Sequence, residues 1–491
     1  DLYFEAFNNL GTAFKDIDKL DEAVSSYEKA LKINPEFADS YNNLGNVLKK
    51  LGKLDDALES YEKGIAINPY DVDIHNNLGR LFSKLIRMDE ALQSYNTALK
   101  INPQHAETYK NLGIIFMKLD RLDESFKHIE KALSLNPEYA EGYSMKGRIL
   151  SEFNQLDEAL ESFKRADQIN SNLFFTLSNI LQTKMRLCEW SNLPELLDTL
   201  KSRVNNNEKN TIIPFDLLSL IDDPRLQRMA SENYIQEEFP RNYSVPNADP
   251  YPNHKKIRIG YFSSDFRIHP VATLTAELYE THDRSQFEIH AFSFGPDTGD
   301  EMNLRIKAGV DQYHDIREMS EKDTVVLARS FEIDIAIDLG GFTGDSRTGI
   351  FAMRVAPIQI SYIGYLGTMG SEYYDYLIAD QIMIPKKYQQ CYSEKIIYLP
   401  SFQVNDSKEK PPNIFFSRKD IGLPEEGFIF CCLNNTYKIN PSVFDSWAKI
   451  LNNVEDSILL IYADHESSKA NLIKEIKSRG VDSNRLFFAE S

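Results

Sequence analysis

The sequence predicts an α-solenoid of tandem helical hairpins followed by two α/β lobes with mostly parallel sheets. Glycines recur at a fixed step through the first third of the chain, and helical patterns continue beyond the end of that period. Short apolar, β-branched runs then alternate with helical segments, as in Rossmann-like lobes. The 491 residues leave room for about three domains of roughly 150 residues each.

The first predicted element is a helical repeat with a period of 34 residues. A step of this length is typical of tetratricopeptide repeats, in which two antiparallel helices form each unit. Proline closes each of the first four repeats, whereas Ser171 stands where a fifth proline is expected, so we predict five repeats over residues 1–171. The period is visible in Gly11, Gly45, Gly79, Gly113 and Gly147, and in Pro35, Pro69, Pro103 and Pro137.

The residue types within a repeat predict how its two helices pack. A glycine on the first helix should let the second helix approach closely. On the second helix, a small residue and, four positions later, a bulky residue should pack against the first helix. The small positions are Ala23, Ala57, Ala91, Ser125 and Ala159, and the bulky ones are Tyr27, Tyr61, Tyr95, Ile129 and Phe163.

Downstream of the repeats we expect three further segments. Residues 172–250 read as a helical adaptor that ends in a stretch rich in proline and asparagine. Residues 251–400 predict the first Rossmann-like lobe, with strands at 257–262, 288–294, 333–339, 358–362 and 376–378. Residues 401–491 predict part of a second lobe: strand 428–433, helix 441–451, strand 457–462, helix 467–478 and strand 485–488. Because the sequence ends there, we expect this lobe to be incomplete.

Charge and cysteine content narrow the classes of partner. A formal net charge of −19 repels phosphate backbones, so a nucleic-acid partner is disfavoured. The four cysteines lack the spacing of a metal site or a disulfide framework, which predicts no metal and a reducing, cytoplasmic location. No apolar run is long enough for a membrane span, so no membrane partner is expected.

Three segments that follow predicted strands of the first lobe hold candidate site residues. Ligands bind beyond the carboxyl ends of strands in open α/β sheets. His269 follows the first strand and could exchange a proton or donate to an anion, although a structural hydrogen bond is the alternative. Two glycine-rich turns, 340–344 and 364–370, could wrap a ligand or simply reverse the chain.

In the second lobe, residues 434–438 connect a strand to a helix that starts at Asn440 and Pro441. Lys438, held beside a helix N-terminus, could meet a diphosphate together with free backbone N–H groups. The alternative is a solvated surface lysine.

Together these segments resemble the O-GlcNAc transferase family, including its bacterial and SPINDLY-type members. The resemblance runs over nearly the whole chain, from the repeat array through Cys188, Glu189 and Trp190 of the adaptor to both lobes. Its specific motifs are Ser264, Asp265, Phe266, Arg267, His269, Pro270 and Val271; Pro357, Ile358 and Gln359; Gly364, Tyr365, Gly367 and Thr368; Asp375, Tyr376 and Asp380; Tyr392, Ser393, Glu394 and Lys395; and Tyr437, Lys438, Ile439, Asn440 and Pro441.

The resemblance implies an inverting GT-B glycosyltransferase that moves a sugar from a nucleotide donor to Ser or Thr of proteins. It implies UDP-GlcNAc as the donor, with GDP-fucose as an alternative, and no metal or other cofactor. His269 and Lys438 would be the catalytic residues, the lysine holding the diphosphate. The donor would contact Asn435, Gly367, Thr368, Gly370 and Thr343. Phe342 and Leu366 depart from the residues usual in the family, which alters the expected packing of the donor sugar.

The resemblance also implies that the repeat array holds acceptor proteins. An asparagine lies two residues before the glycine in each of the first four repeats, forming a column of amides that could bind peptide backbones. The alternative is a consensus residue in water. These acceptor-binding candidates are Asn9, Asn43, Asn77 and Asn111.

A second class of function remains open at this point: a non-catalytic tetratricopeptide adaptor or scaffold that bears a truncated transferase domain. With the second lobe incomplete, we expect the chain as it stands to be a poor catalyst, and its residues 401–491 to be less stable than the rest.

Overall fold

The structure is a computed structural model that describes residues 3–242, 245–246, 248–251, 254–403, 406–408 and 416–489. Its internal contacts divide the chain into two compact units. One consists of residues 1–152 with 242–246 and 318–320, and the other of residues 153–241, 247–317 and 321–491.

The first unit is an array of antiparallel helices in tandem. Successive helices pack as hairpins, in agreement with the predicted 34-residue repeat. Its helices are α1 (Tyr3–Asp16), α2 (Leu20–Ile33), α3 (Ala38–Lys50), α4 (Leu54–Ile67), α5 (Val72–Lys84), α6 (Met88–Ile101), α7 (Ala106–Lys118), α8 (Leu122–Leu135) and α9 (Ala140–Glu152). The second helix of the fifth repeat, α10 (Leu156–Ile169), belongs to the second unit.

The packing predicted for the repeat glycines is confirmed. A Cβ added at Gly79 would lie 2.6 Å from the ring of Tyr95, and the same approach recurs at Gly45 against Tyr61. Both tyrosine rings are buried. The close approach of the two helices therefore requires a residue without a side chain at the glycine position.

We predict that Gly79→Ala destabilises the repeat array by about 1–3 kcal/mol, because the new methyl group must push the buried Tyr95 ring aside. Differential scanning calorimetry should show a transition at lower temperature. Gly344→Ala is the matched control, since nothing lies within 4 Å of its added Cβ. Equal thermograms for the two variants would contradict the packing argument.

The second unit begins with α10 of the fifth repeat and continues with helices in the region predicted as the adaptor, residues 172–250. They are α11 (Thr176–Arg186), α12 (Leu193–Asn205), α13 (Pro214–Leu220) and α14 (Pro224–Glu238). Their buried residues, from Leu177 to Ala230, share one hydrophobic core with residues 439–486 of the second lobe. At its centre the Trp190 and Phe444 rings meet edge to face, with centroids 5.4 Å apart. The adaptor thus packs directly on the second lobe.

The first lobe is a seven-stranded parallel sheet in the order β3-β2-β1-β4-β5-β6-β7, with helices between the strands. Its strands are β1 (Ile257–Ser263), β2 (Phe287–Ser293), β3 (Gln312–Asp315), β4 (Ile335–Asp338), β5 (Ile358–Tyr362), β6 (Tyr376–Ala379) and β7 (Lys395–Tyr398). Its helices are α15 (Pro270–Thr281), α16 (Glu301–Gly309), α17 (Glu321–Ser330) and α18 (Thr348–Ala352).

Sequence analysis misses two of these strands, β3 and β7. Each has only four residues and mixes polar with apolar side chains, so neither forms a recognisable apolar run. Each pairs on only one side, at an edge of the sheet, where half-exposed positions accept polar residues.

The second lobe follows the predicted β-α-β-α-β order. Its elements are β8 (Phe428–Cys432), α19 (Pro441–Asn453), β9 (Ser457–Tyr462), α20 (Glu466–Ser478) and β10 (Leu486–Ala489). The three strands are parallel in the order β10-β9-β8. Within the described ranges, none of the helices has the length and apolar character needed to cross a membrane.

A stacked histidine pair links two strands near the β3 edge of the first sheet. His290 Nδ1 lies 3.1 Å from His314 Nε2, and Phe331 packs against both rings. Burial lowers the pKa of both imidazoles, to about 4 for His314, whose pKa the neighbouring His290 lowers further. The charged groups near His290 are Glu288, Arg258 and Asp311.

We predict that this pair makes the protein less stable in mild acid. In the unfolded chain both groups take up protons near pH 6.5, whereas His314 in the folded chain stays neutral down to about pH 4. The free energy of unfolding therefore falls as the pH drops from 6.5 towards 4. His314→Phe should reduce this loss, seen as a smaller shift in urea midpoint between neutral and mildly acidic buffer. His75→Gln in the repeats is the control, and an unchanged shift in the His314 variant would contradict the assignment.

Candidate functional site

Three loops that hold predicted site residues lie side by side at one edge of the first sheet. They follow β1, β4 and β5, which are neighbours and run parallel. The carboxyl ends of parallel strands point to the same edge, where α/β folds bind ligands. The sheet therefore brings together the loops of His269, Thr343, Gly367, Thr368 and Gly370.

His269 caps the N-terminus of α15 and is about one-third exposed. Its Nδ1 accepts a hydrogen bond from the Val271 backbone N–H at 3.3 Å and lies 3.6 Å from Asp265 Oδ2. With Nδ1 acting as acceptor, the neutral ring carries its proton on Nε2. His269 is thus both a structural cap and a hydrogen-bond donor through its other nitrogen.

The loop after β4 is organised by the buried carboxylate of Asp338. Its Oδ1 accepts from the backbone N–H groups of Gly340 and Gly341 at 3.0 Å each, and its Oδ2 accepts from the Tyr374 hydroxyl. Burial raises the pKa of Asp338. The Thr343 hydroxyl donates to the Gly340 carbonyl, so this loop is closed on itself.

The loop after β5 is held by a second buried carboxylate, Glu394. Its Oε2 accepts from the Thr368 hydroxyl at 2.7 Å, and its Oε1 accepts from the Met369 N–H at 2.6 Å. The Thr368 oxygen in turn accepts from the N–H groups of Ser393 and Gly370. The Thr368 hydroxyl and the N–H groups of Met369 and Gly370 are therefore committed within the protein.

Steric constraints explain why glycine occupies two positions of this loop. Gly370 has φ +64°, and an added Cβ would lie 2.6 Å from the Glu232 backbone nitrogen. A Cβ at Gly367 would collide with the Tyr365 hydroxyl. Close packing on the adaptor helix α14 and on Tyr365 accounts for both residues.

Sequence reasoning did not place Asp338 and Glu394 in the site. An aspartate two residues before a glycine pair after a strand is a signal for such a turn, because its carboxylate can accept the next N–H groups. The role of Glu394 had no local signal, because its partners Thr368 and Met369 are 25–26 residues away in sequence.

The second sheet presents Lys438 and Asn435 beyond the carboxyl end of β8. Both side chains are exposed, and Lys438 lies 5.7 Å from the Tyr437 ring centroid. The Asn440 side chain caps α19 by accepting from the Val443 N–H, as predicted. Among the described residues, no recorded contact joins Lys438 to His269. Their joint action stays a prediction.

The asparagine column of the repeats has partners in the preceding repeat. Asn43 donates through Nδ2 to Asn8 Oδ1 at 3.0 Å, and Asn111 donates to Asn76 Oδ1 at 2.9 Å. Asn77 makes the same contact with Asn42, whereas Asn9 is exposed. These bonds fix the orientation of three amides, of which Asn43 and Asn77 are partly exposed and Asn111 is buried.

Comparison with known proteins agrees with this architecture. Residues 235–414 and 405–491 match Glycosyl transferase family 41, together more than half of the chain. The chain belongs to this family. Residues 11–71 and 87–161 match tetratricopeptide repeat families.

This family 41 chain is similar to two plant proteins and to one bacterial structure. It is 31% identical over 331 residues to the probable UDP-N-acetylglucosamine peptide N-acetylglucosaminyltransferase SEC of Arabidopsis thaliana, covering 63% of this chain and 34% of that protein. It is 30% identical over 257 residues to the probable transferase SPINDLY of Oryza sativa, covering 48% and 27%. The chain thus spans about a third or less of these relatives. A mutant O-GlcNAc transferase of Thermobaculum terrenum shares the fold, with a TM-score of 0.56, 23% identity, and coverage of 85% and 74%.

We predict that Glu394→Gln loosens the loop after β5. The amide that replaces one carboxylate oxygen would face the donor groups of Thr368 or Met369, leaving a buried donor without an acceptor at a cost of about 1–3 kcal/mol. Hydrogen exchange at residues 366–371 should become faster. Glu425→Gln, at an exposed position, is the control, and unchanged protection in the Glu394 variant would contradict the role given to this carboxylate.

Proposed function

We propose that this protein is an inverting protein O-glycosyltransferase that moves GlcNAc from UDP-GlcNAc to Ser or Thr of proteins held by its repeats. Membership of family 41 and the names of the relatives support this activity and donor. The four cysteines are free thiols, which agrees with action in the reducing cytoplasm.

The observation that carries the proposal is the position of Lys438, exposed before the capped N-terminus of α19. A departing nucleoside diphosphate accumulates negative charge in the transition state. An ammonium group and the dipole of a helix N-terminus stabilise that charge. Asn435, exposed in the same loop, offers an amide to the donor.

The first lobe would contribute the sugar and acceptor side of the site. His269 offers an Nε2–H donor whose ring is oriented by the Val271 N–H. The loops of Thr343 and of Gly367, Thr368 and Gly370 would line the donor sugar, with the two threonine hydroxyls bonded within the protein.

Incubation of the full-length protein with labelled UDP-GlcNAc or GDP-fucose and a protein extract tests the activity and the donor. Labelled protein with UDP-GlcNAc supports the proposal. Labelling with GDP-fucose alone would favour the O-fucosyltransferase alternative, and no labelling with either donor would favour the non-catalytic adaptor.

We predict that Lys438→Ala in the full-length protein lowers turnover by about 100-fold or more, the scale of loss when a partner of transition-state charge is removed. His269→Ala should lower turnover and also raise the KM for the donor. Lys449→Ala, an exposed lysine of α19, is the matched control. Near-normal turnover in a folded Lys438 variant would remove this residue from the mechanism.

The asparagine column gives a prediction about acceptors. Replacing Asn43, Asn77 and Asn111 with Ala should weaken the binding of acceptor proteins and leave donor binding intact, since each lost amide removes hydrogen bonds of about 1 kcal/mol net. The same change removes three bonds between repeats, so the melting temperature should be measured alongside. Unchanged acceptor affinity would show that these amides serve only to join the repeats.

A further inference from the structure

The repeat array carries a row of cations beside the asparagine column, although the protein as a whole is strongly acidic. The members lie on four consecutive odd-numbered helices, α3, α5, α7 and α9. We call them the basic row: Lys49, Arg80, Lys84, Lys118 and Arg148.

Helical spacing places Arg80, Lys84 and Lys118 on the same face as the asparagine column. In α5, Arg80 and Lys84 follow Asn77 by three and seven residues, the spacing of one helical stripe. In α7, Lys118 follows Asn111 by seven residues. Lys118 Nζ also donates to Ser83 Oγ at 3.2 Å, so it reaches across to the neighbouring first helix. A segment held by the asparagine amides would therefore run beside these cations.

Most of the charge in the row has no carboxylate partner. Arg80 has the nearest one, with its Nη1 3.7 Å from Glu107 Oε1, and the charges of Glu107 and Glu152 also act on Lys49 and on Arg148 respectively. In the described part of the chain, no carboxylate lies within 4.0 Å of the other four cations, and Lys49 Nζ has no hydrogen-bond partner. Since ion pairs satisfy many other lysines and arginines here, this concentration of uncompensated positive charge favours an anionic ligand.

The surroundings of the row change the charge of its members. Burial, then Arg80 and Lys84, lower the pKa of Lys49 to about 7. Burial also lowers the pKa of Lys118 and of Arg148, which still reach solvent. The neutral form of Lys49 is thereby favoured, so the charge of the row rests on its four exposed members, Arg80, Lys84, Lys118 and Arg148.

Carboxylates occur at the other end of the same stripe. Six residues before each repeat glycine the chain has Glu5, Asp39, Asp73, Glu107 and Glu141. Lys84 is eleven residues from Asp73 along α5, a separation of about 16 Å at 1.5 Å per residue. Along this stripe the carboxylates come first, the asparagine amides second and the cations last. A bound segment would therefore have negative charge on one side and positive charge on the other.

We propose that the basic row selects acidic polypeptide segments, so that acceptors rich in Asp and Glu beside the backbone held by the asparagine column bind this protein best. The inference rests on the proposed function for its biological meaning, but the binding itself needs no catalysis. A polypeptide fits better than a nucleic acid, because the net charge of −19 opposes a dense phosphate polyanion.

The test measures binding to the whole chain by fluorescence anisotropy at low ionic strength. The probe is a labelled Ser-containing peptide rich in Glu, and its partner peptide has Gln in place of every Glu. We expect the Glu peptide to bind at least about tenfold more tightly, with a preference that shrinks as salt is added. Equal affinities for the two peptides would overturn the proposal.

Charge reversal then assigns the effect to the row. Lys84→Glu/Lys118→Glu should abolish the preference, whereas Lys32→Glu/Lys100→Glu, at exposed positions of the second helices and with the same change in net charge, should keep it. If the first variant does not fold, Lys84→Gln/Lys118→Gln replaces it. Loss of preference in the control as well, or tighter binding of a single-stranded oligonucleotide than of the Glu peptide, would overturn the proposal. A full-length protein that shows the preference but transfers no sugar would contradict the proposed activity alone.

Discussion

The position of the second lobe depends on how the carboxyl end of α11 is completed. The last carbonyls of a helix have no partner within the helix and must find donors elsewhere. Here Thr436 and Ser468 donate their hydroxyls to the Arg186 carbonyl at 2.7 and 2.9 Å, and Asn471 donates to the Leu187 carbonyl at 2.9 Å. Three side chains from two segments of the second lobe therefore cap one adaptor helix.

This capping bears directly on the candidate site. Thr436 lies between Asn435 and Lys438, so its buried hydroxyl bond holds the short turn from which both side chains project. The common core around Trp190 and Phe444 keeps the same surfaces together through apolar burial. An adaptor that looks in sequence like a connecting segment is therefore a structural part of the second lobe.

Periodic features of the fold were predictable from sequence, and features that depend on distant partners were not. The repeat helices and the inner strands of the first sheet were predictable from local patterns. A 34-residue glycine step and a β-branched run each depend only on residues that are near in sequence. The edge strands β3 and β7 lack such a run. Likewise, His269 and Lys438 can be placed at strand ends by order alone, whereas the bond from Thr368 to Glu394 depends on contacts that only the folded sheet creates.

The buried carboxylates hold the glycine-rich loops in place. Such sequences suggest flexible segments that close on a ligand, yet Asp338 and Glu394 hold these loops through backbone N–H groups and hydroxyls. Glycine is needed at Gly341 because its φ is +58° and the Tyr365 side chain lies against it, so its role is close packing. Groups fixed before the substrate arrives need not reorganise during the reaction, which is the condition under which backbone dipoles stabilise developing charge most effectively.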